Sequence, residues 1–149
     1  MVDDPSPMAP IIDSSGRPLT QQPHFVLGVQ MHNGGEYYEA HEAWEELWRD
    51  EEDDALRIFL QGLIQVTSAF HKLFFQREPV GAGRLLARGL AKLARYPGDY
   101  LGVALEPFRQ GAAACGEAIA KLAPTKEGAL AFDRSRVPEL RMAAQTPPP

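Results

Sequence analysis

The run from Leu56 to Phe75 constrains this chain most, because at helical spacing it is apolar almost all the way round. A helix of that kind has no solvent face to offer and must be enclosed by neighbours. The spacing predicts a helix from about Ala55 to about Gln76 that serves as the spine of the fold. Its one polar stripe, Arg57, Gln61, Gln65, Ser68 and Lys72, projects from a narrow face. Polar groups on an enclosed helix need partners, since an unpaired buried amide or carboxylate is costly. The acidic segment just before the spine is the expected supplier. His71 falls apart from that stripe, between Leu60, Ile64, Thr67 and Phe75, and is expected to be partly buried.

Four further helices are predicted around the spine. Pro23 suits a first helical position, and Phe25, Val26, Val29 and Gln30 carry a short helix toward Asn33. Gly34-Gly35 then turns a tight corner into a helix from Glu36 to Arg49. After Pro79, Gly81 to Arg95 sets Leu86, Leu90 and Leu93 opposite Arg84, Arg88, Lys92 and Arg95. Tyr96-Pro97-Gly98-Asp99 reads as a turn, and Glu106-Pro107 opens a last helix that reaches Leu122. No stretch alternates as a strand would. The expectation is an all-α fold: a single compact bundle of about five antiparallel helices with a central buried third helix. The helical domain is expected over residues 22–122, with a disordered or loosely docked arm over 1–21 and an extended C-terminal tail over 123–149.

A chain of 149 residues can bury a core without disulfides or a structural metal. Twenty acidic against fifteen basic residues argues against a nucleic-acid binder, which needs a basic face. The single cysteine, Cys115, excludes an internal disulfide and any two-cysteine redox or zinc motif, and reads as a small core residue. No run approaches the roughly 20 apolar residues that span a bilayer, and the N-terminus lacks the pattern of a secretory signal. A cytoplasmic protein with no membrane partner is expected.

The dense chemistry lies in Gly35-Glu36-Tyr37-Tyr38-Glu39-Ala40-His41-Glu42-Ala43-Trp44-Glu45-Glu46-Leu47-Trp48, which has five glutamates and no basic residue before Arg49. Surface helices ordinarily interleave Glu with Lys or Arg, so this self-repulsion needs a reason. At 100° per residue, Tyr37, Ala40, Trp44, Leu47 and Trp48 form the apolar stripe, with His41 at its edge and Glu45 one turn on. Glu39, Glu42 and Glu46 fall together on the opposite side. Asp50 to Asp54 lacks the alternating ligands and central Gly of a calcium loop and reads as a solvated connector.

These residues, followed by Phe59-Leu60-Gln61-Gly62-Leu63-Ile64-Gln65 and Ala69-Phe70-His71-Lys72, resemble the domain-of-unknown-function 309 family from about Phe25 through Phe108. The resemblance implies an all-helical fold, found in bacteria, archaea and plastids, whose members are sometimes labelled predicted metal-dependent hydrolases. Carried over by position, the family pattern falls on Glu39, His41, Glu42, Glu45, Trp48, Gln61, Gln65 and His71.

Three functional readings follow. In the first, Tyr38, Glu39, His41, Glu42, Glu45, Trp48, Gln61 and Gln65 line an acidic and aromatic pocket between the second and third helices. Carboxylates beside Trp and Tyr suit a small polar or cationic ligand or a partner segment. In the second, His41, Glu45 and His71 hold a divalent metal and Glu42 acts as general base of a hydrolase. In the third, Glu39, His41, Gln61 and Gln65 form a buried hydrogen-bond network that fixes helix packing. A homodimer is compatible with any of them.

Overall fold

The computed structural model describes residues 13, 14 and 16–142; most of the expected arm, residues 1–12, and the tail beyond 142 lie outside the described residues. A short 3-10 turn, Leu19–Gln21, leads into α1 (Pro23–Asn33) and α2 (Tyr37–Asp50). The spine α3 (Asp54–Phe74) and the amphipathic α4 (Pro79–Leu93) come next. The last long helix is α5 (Leu105–Ala120), followed by the single-turn α6 (Lys126–Leu130). The fold is all-α, and each long helix packs on the next in sequence, with α3 held between α2 and α4.

Local chemistry sets the boundaries. Gln22 caps α1, its side-chain oxygen accepting from the amides of His24 and Phe25, and Pro23 follows at the first turn. Gly35, at φ 82°, makes the corner into α2 that a residue with a Cβ would strain. Asp53 caps α3 by accepting from the Leu56 amide at 2.8 Å.

Two close approaches depend on glycine. A Cβ on Gly28 would lie 2.2 Å from Trp44 Nε1, so α1 can cross the Trp44 indole only where it has no side chain. That indole N–H donates to the Phe25 carbonyl at 3.1 Å, joining the two helices. Between α3 and α4, Cβ atoms on Gly62 and Gly89 would strike Leu93 and the Gly62 carbonyl respectively, each at 2.8 Å.

The structure departs from the expected layout after α4. A hairpin of two-residue strands, β1 (Asp99–Tyr100) and β2 (Val103–Ala104), turns at Leu101 and Gly102, both at positive φ. Two such residues are what a type I′ hairpin turn requires. The third strand of this small antiparallel sheet, β3 (Arg141–Met142), pairs with β2 and comes from the region expected to be an extended tail. That region is structured: after α6 and a 3-10 turn, Arg134–Arg136, an extended strap returns across the bundle. Phe132, Leu140 and Met142 are buried in the same core as the spine, so the folded unit includes residues well past 122. At the other end Leu19 joins that core as well.

The acidic connector is exposed at Asp50, Glu52, Asp53 and Asp54, as expected, and differs from that reading only at Glu51. Glu51 is buried, its carboxylate accepting from the amides of Ser14 at 3.2 Å and Asp53 at 3.0 Å. Cys115 is a buried core residue as expected, its thiol donating to the Arg136 carbonyl, and burial pushes its pKa up to about 11.

Candidate functional site

The α2 wheel puts Tyr37, Ala40, Ala43, Trp44 and Leu47 against the core. The rest of the helix is divided between two neighbours, and that division decides where its chemistry points.

Toward α3 lies a row of rings. Tyr38 is in contact with His41 (centroids 5.7 Å apart) and with His71 on α3 (5.3 Å), and His71 stacks on Phe75 at 5.2 Å. The Nδ1 atoms of both histidines are buried with no hydrogen-bond partner. His41 Nε2 lies 3.6 Å from Glu45, near enough for charge attraction and too far for a hydrogen bond. Among the described residues no group of three or more His, Cys, Asp or Glu side chains is arranged to hold a metal ion. His41, Glu45 and His71 therefore do not meet as a ligand set among the described residues.

Toward α1 lies a cleft of ≈ 380 Å³, lined by His24, Leu27 and Met31 on one wall and by Glu39, Glu42, Ala43, Glu45, Glu46 and Arg49 on the other. The acidic residues thus face α1 and not α3, which corrects the expected position of the pocket. Arg49, the one cation of its acidic wall, is engaged by Glu46 at 2.9 Å and Glu45 at 3.3 Å. Among the described residues Glu39 and Glu42 have no ion pair. Two carboxylates one turn apart, with no counter-charge, face an open cleft whose other wall carries the exposed side chain of Leu27.

Trp48, Gln61 and Gln65 belong to neither of these surfaces. The Arg57 guanidinium lies 4.3 Å over the Trp48 ring and donates to the carbonyls of Trp48 and Glu51, closing the C-terminal end of α2. Gln65 accepts from Lys92 of α4 at 2.9 Å, and Lys72 bonds Gln76 and Glu78. Arg57, Gln65 and Lys72 of the α3 stripe are thus partnered by backbone, by α4 and by C-terminal neighbours, not by the glutamates of α2, while Gln61 and Ser68 make no side-chain hydrogen bond among the described residues. No hydrogen bond among the described residues joins Glu39, His41, Gln61 and Gln65 into a network.

The buried network of this molecule is elsewhere, on a residue that the sequence reading passed over. His32, at the end of α1, is 1% exposed and surrounded by the rings of Tyr37, Trp44, Phe70 and Phe108. Its Nε2 lies 3.0 Å from the Pro138 carbonyl and its Nδ1 2.9 Å from the Thr67 hydroxyl. A carbonyl only accepts, so Nε2 carries the proton and Nδ1 accepts from Thr67. Burial lowers the His32 pKa to about 4, against smaller upward effects of the Pro138 bond and the Glu139 charge. Next to it, the Asn33 amide both donates to and accepts from the backbone of Leu140, at 2.9 and 2.8 Å. Together the two side chains fasten the strap to α1, α3 and the core. The sequence does carry a signal for His32: Phe25, Gly28, Val29 and His32 share one face at helical spacing.

Residues 25–85 match the family model described as Domain of unknown function (DUF309), a span that holds nearly all of α1, all of α2 and α3, and the first half of α4. The acidic cleft lies within it, apart from His24, and the strap lies outside. No curated protein matches the chain. Among the described residues no helix is long and apolar enough to cross a membrane.

Proposed function

We propose that this chain, whose residues 25–85 match the DUF309 family model, is a small helical binding module that takes a cationic segment of a partner protein in the cleft between α1 and α2. The observation that carries this reading is the pair Glu39 and Glu42, uncompensated on a wall where Arg49 is already held by Glu45 and Glu46. A Lys or Arg side chain suits such a cleft. Its head would meet the carboxylates while its methylene stem lies along Leu27 and Met31. The volume of ≈ 380 Å³ is at the low end of ligand-sized clefts, enough for one or two side chains and not for a folded partner. The same reading assigns the protein to the cytoplasm, supported by the lone and buried Cys115.

The test is calorimetric titration of the full chain with a short oligolysine peptide and with an oligoarginine peptide of equal length, at two salt concentrations. Binding that weakens about tenfold in the Glu39→Gln/Glu42→Gln variant and falls with added salt is the expected result. Equal affinity in that variant, or no heat with either peptide, refutes the reading.

A further inference from the structure

A second surface lies beside the N-terminus of α2, on the side facing the strap. A cavity of ≈ 450 Å³ lies between the α1–α2 corner and the returning strap, with Gly34, Gly35, Tyr37, Arg134, Ser135 and Glu139 among its walls. Four features of its lining point to an anion.

The first is Arg134. Its guanidinium is held over Phe74 at 4.5 Å and near Phe75 at 5.6 Å, and it has no carboxylate partner among the described residues. A cation fixed on aromatic faces keeps its forked N–H donors free for an oxyanion. The second is Tyr37. This residue is only 5% exposed, and its hydroxyl, which still reaches solvent, makes no hydrogen bond among the described residues. Burial raises the Tyr37 pKa and the Arg134 charge opposes that rise; both residues line the cavity. Lining the cavity with no protein partner, that hydroxyl is free to donate to a ligand.

The third feature is the N-terminus of α2, a helix of 14 residues that begins at Tyr37. Its N-cap residue, Glu36, provides no side-chain hydrogen bond, so the amides of the first turn keep their donors, although Glu39 in that turn already answers part of the helix dipole. Gly34 and Gly35, which precede it, put backbone without side chains at the cavity wall. The fourth is the state of the other charges. Glu139 is the one acid lining the cavity, and its carboxylate is paired with Arg141 at 2.8 Å. His32, in the same wall, has both ring nitrogens occupied.

We infer that this cavity is a binding site for a phosphate-bearing small molecule, its phosphoryl oxygens accepting from the Arg134 guanidinium, the Tyr37 hydroxyl and the first-turn amides of α2. Donors converging from a helix end, a strap and a buried ring favour a tetrahedral oxyanion over a planar carboxylate. The cavity has room for an organic group beyond the phosphate, set against Val137 and Pro138. The ligand would touch α2 and the strap at once, and so would hold the strap more firmly to the bundle. This site is independent of the acidic cleft, which lies along the outer face of the same helix.

The test is an amide and arginine side-chain NMR titration of the full chain with inorganic phosphate, against sodium acetate and sodium chloride at matched ionic strength. Saturable shifts on Gly34, Gly35, Tyr37 and the Arg134 side chain with phosphate are expected by about 10 mM, well ahead of acetate. Arg134→Gln should weaken that affinity about tenfold, and Tyr37→Phe, which keeps the packed ring and removes only the hydroxyl, several-fold. Shifts no larger than those with chloride, unchanged saturation in both variants, or tighter saturation by acetate would each overturn the assignment.

Discussion

His32 and His41 stand nine positions apart on adjoining helices and show opposite solutions to placing an imidazole among aromatic rings. His32 is enclosed, and each ring nitrogen has its partner, one from α3 and one from the strap. His41 is at the border of the core, with a buried Nδ1 that has none. A satisfied buried histidine works as a three-way fastener, whose hydrogen bonds hold elements far apart in sequence. An unsatisfied one at the edge adds little to stability. The carboxylates of the two regions follow the same rule: Glu51 is buried and bonded to two amides, whereas Glu39 and Glu42 face the cleft without a counter-charge.

The contrast can be broken first at His32. His32→Ala should cost about 3–5 kcal/mol in urea unfolding, because it opens a cavity among four rings and leaves the Thr67 hydroxyl and the Pro138 carbonyl unpaired. A loss below about 1 kcal/mol would mean that the strap does not depend on this residue. Next in size is the effect of pH. The folded pKa, about 4, lies below the unfolded value of 6.5, so the unfolded chain binds the proton more readily between those values. The stability that neutral His32 provides is complete above pH 6.5 and is lost as pH falls toward 4, by roughly 3 kcal/mol in all. Unfolding curves of the parent chain and of His32→Ala between pH 7 and pH 4 check this, since the variant should lack that share of the slope.

Smaller effects sharpen the other side of the comparison. His41→Ala should change stability by less than about 1 kcal/mol, since no hydrogen bond is lost. Replacing Glu42 by Gln should leave the fold intact and stabilise it by a few tenths of a kcal/mol, as it removes repulsion by Glu39, Glu45 and Glu46 about one helical turn away. A net loss on that substitution, measured by thermal unfolding at low salt, would show that this carboxylate has a structural partner after all.

How far the sequence reveals this molecule depends on how local each cause is. The enclosure of α3 was legible because its own apolar residues run round the whole helix, and the α1–α2 corner because Gly34-Gly35 marks it. The helical wheel of α2 separated Glu39, Glu42 and Glu46 from the apolar stripe. It could not say which neighbour stands opposite them. That choice is made by Gly28, which lets α1 approach Trp44 so closely that α1, and not α3, forms the second wall. The sheet was hidden because strands of two residues are too short to alternate. The strap was hidden because its hold on the bundle comes from His32 and Asn33, more than a hundred residues earlier. Its own apolar residues are few and widely spaced, so residues 123–142 read as a tail.

Binding of a cationic segment in the α1–α2 cleft can be followed residue by residue in an amide NMR titration of the full chain with a short oligolysine peptide. Shifts that saturate and cluster on Leu27, Met31, Glu39, Glu42 and Glu46, while Tyr38, His71 and Phe75 stay still, are expected. Shifts spread evenly over the acidic surface, or centred on the Tyr38–His71 ring row, would contradict it.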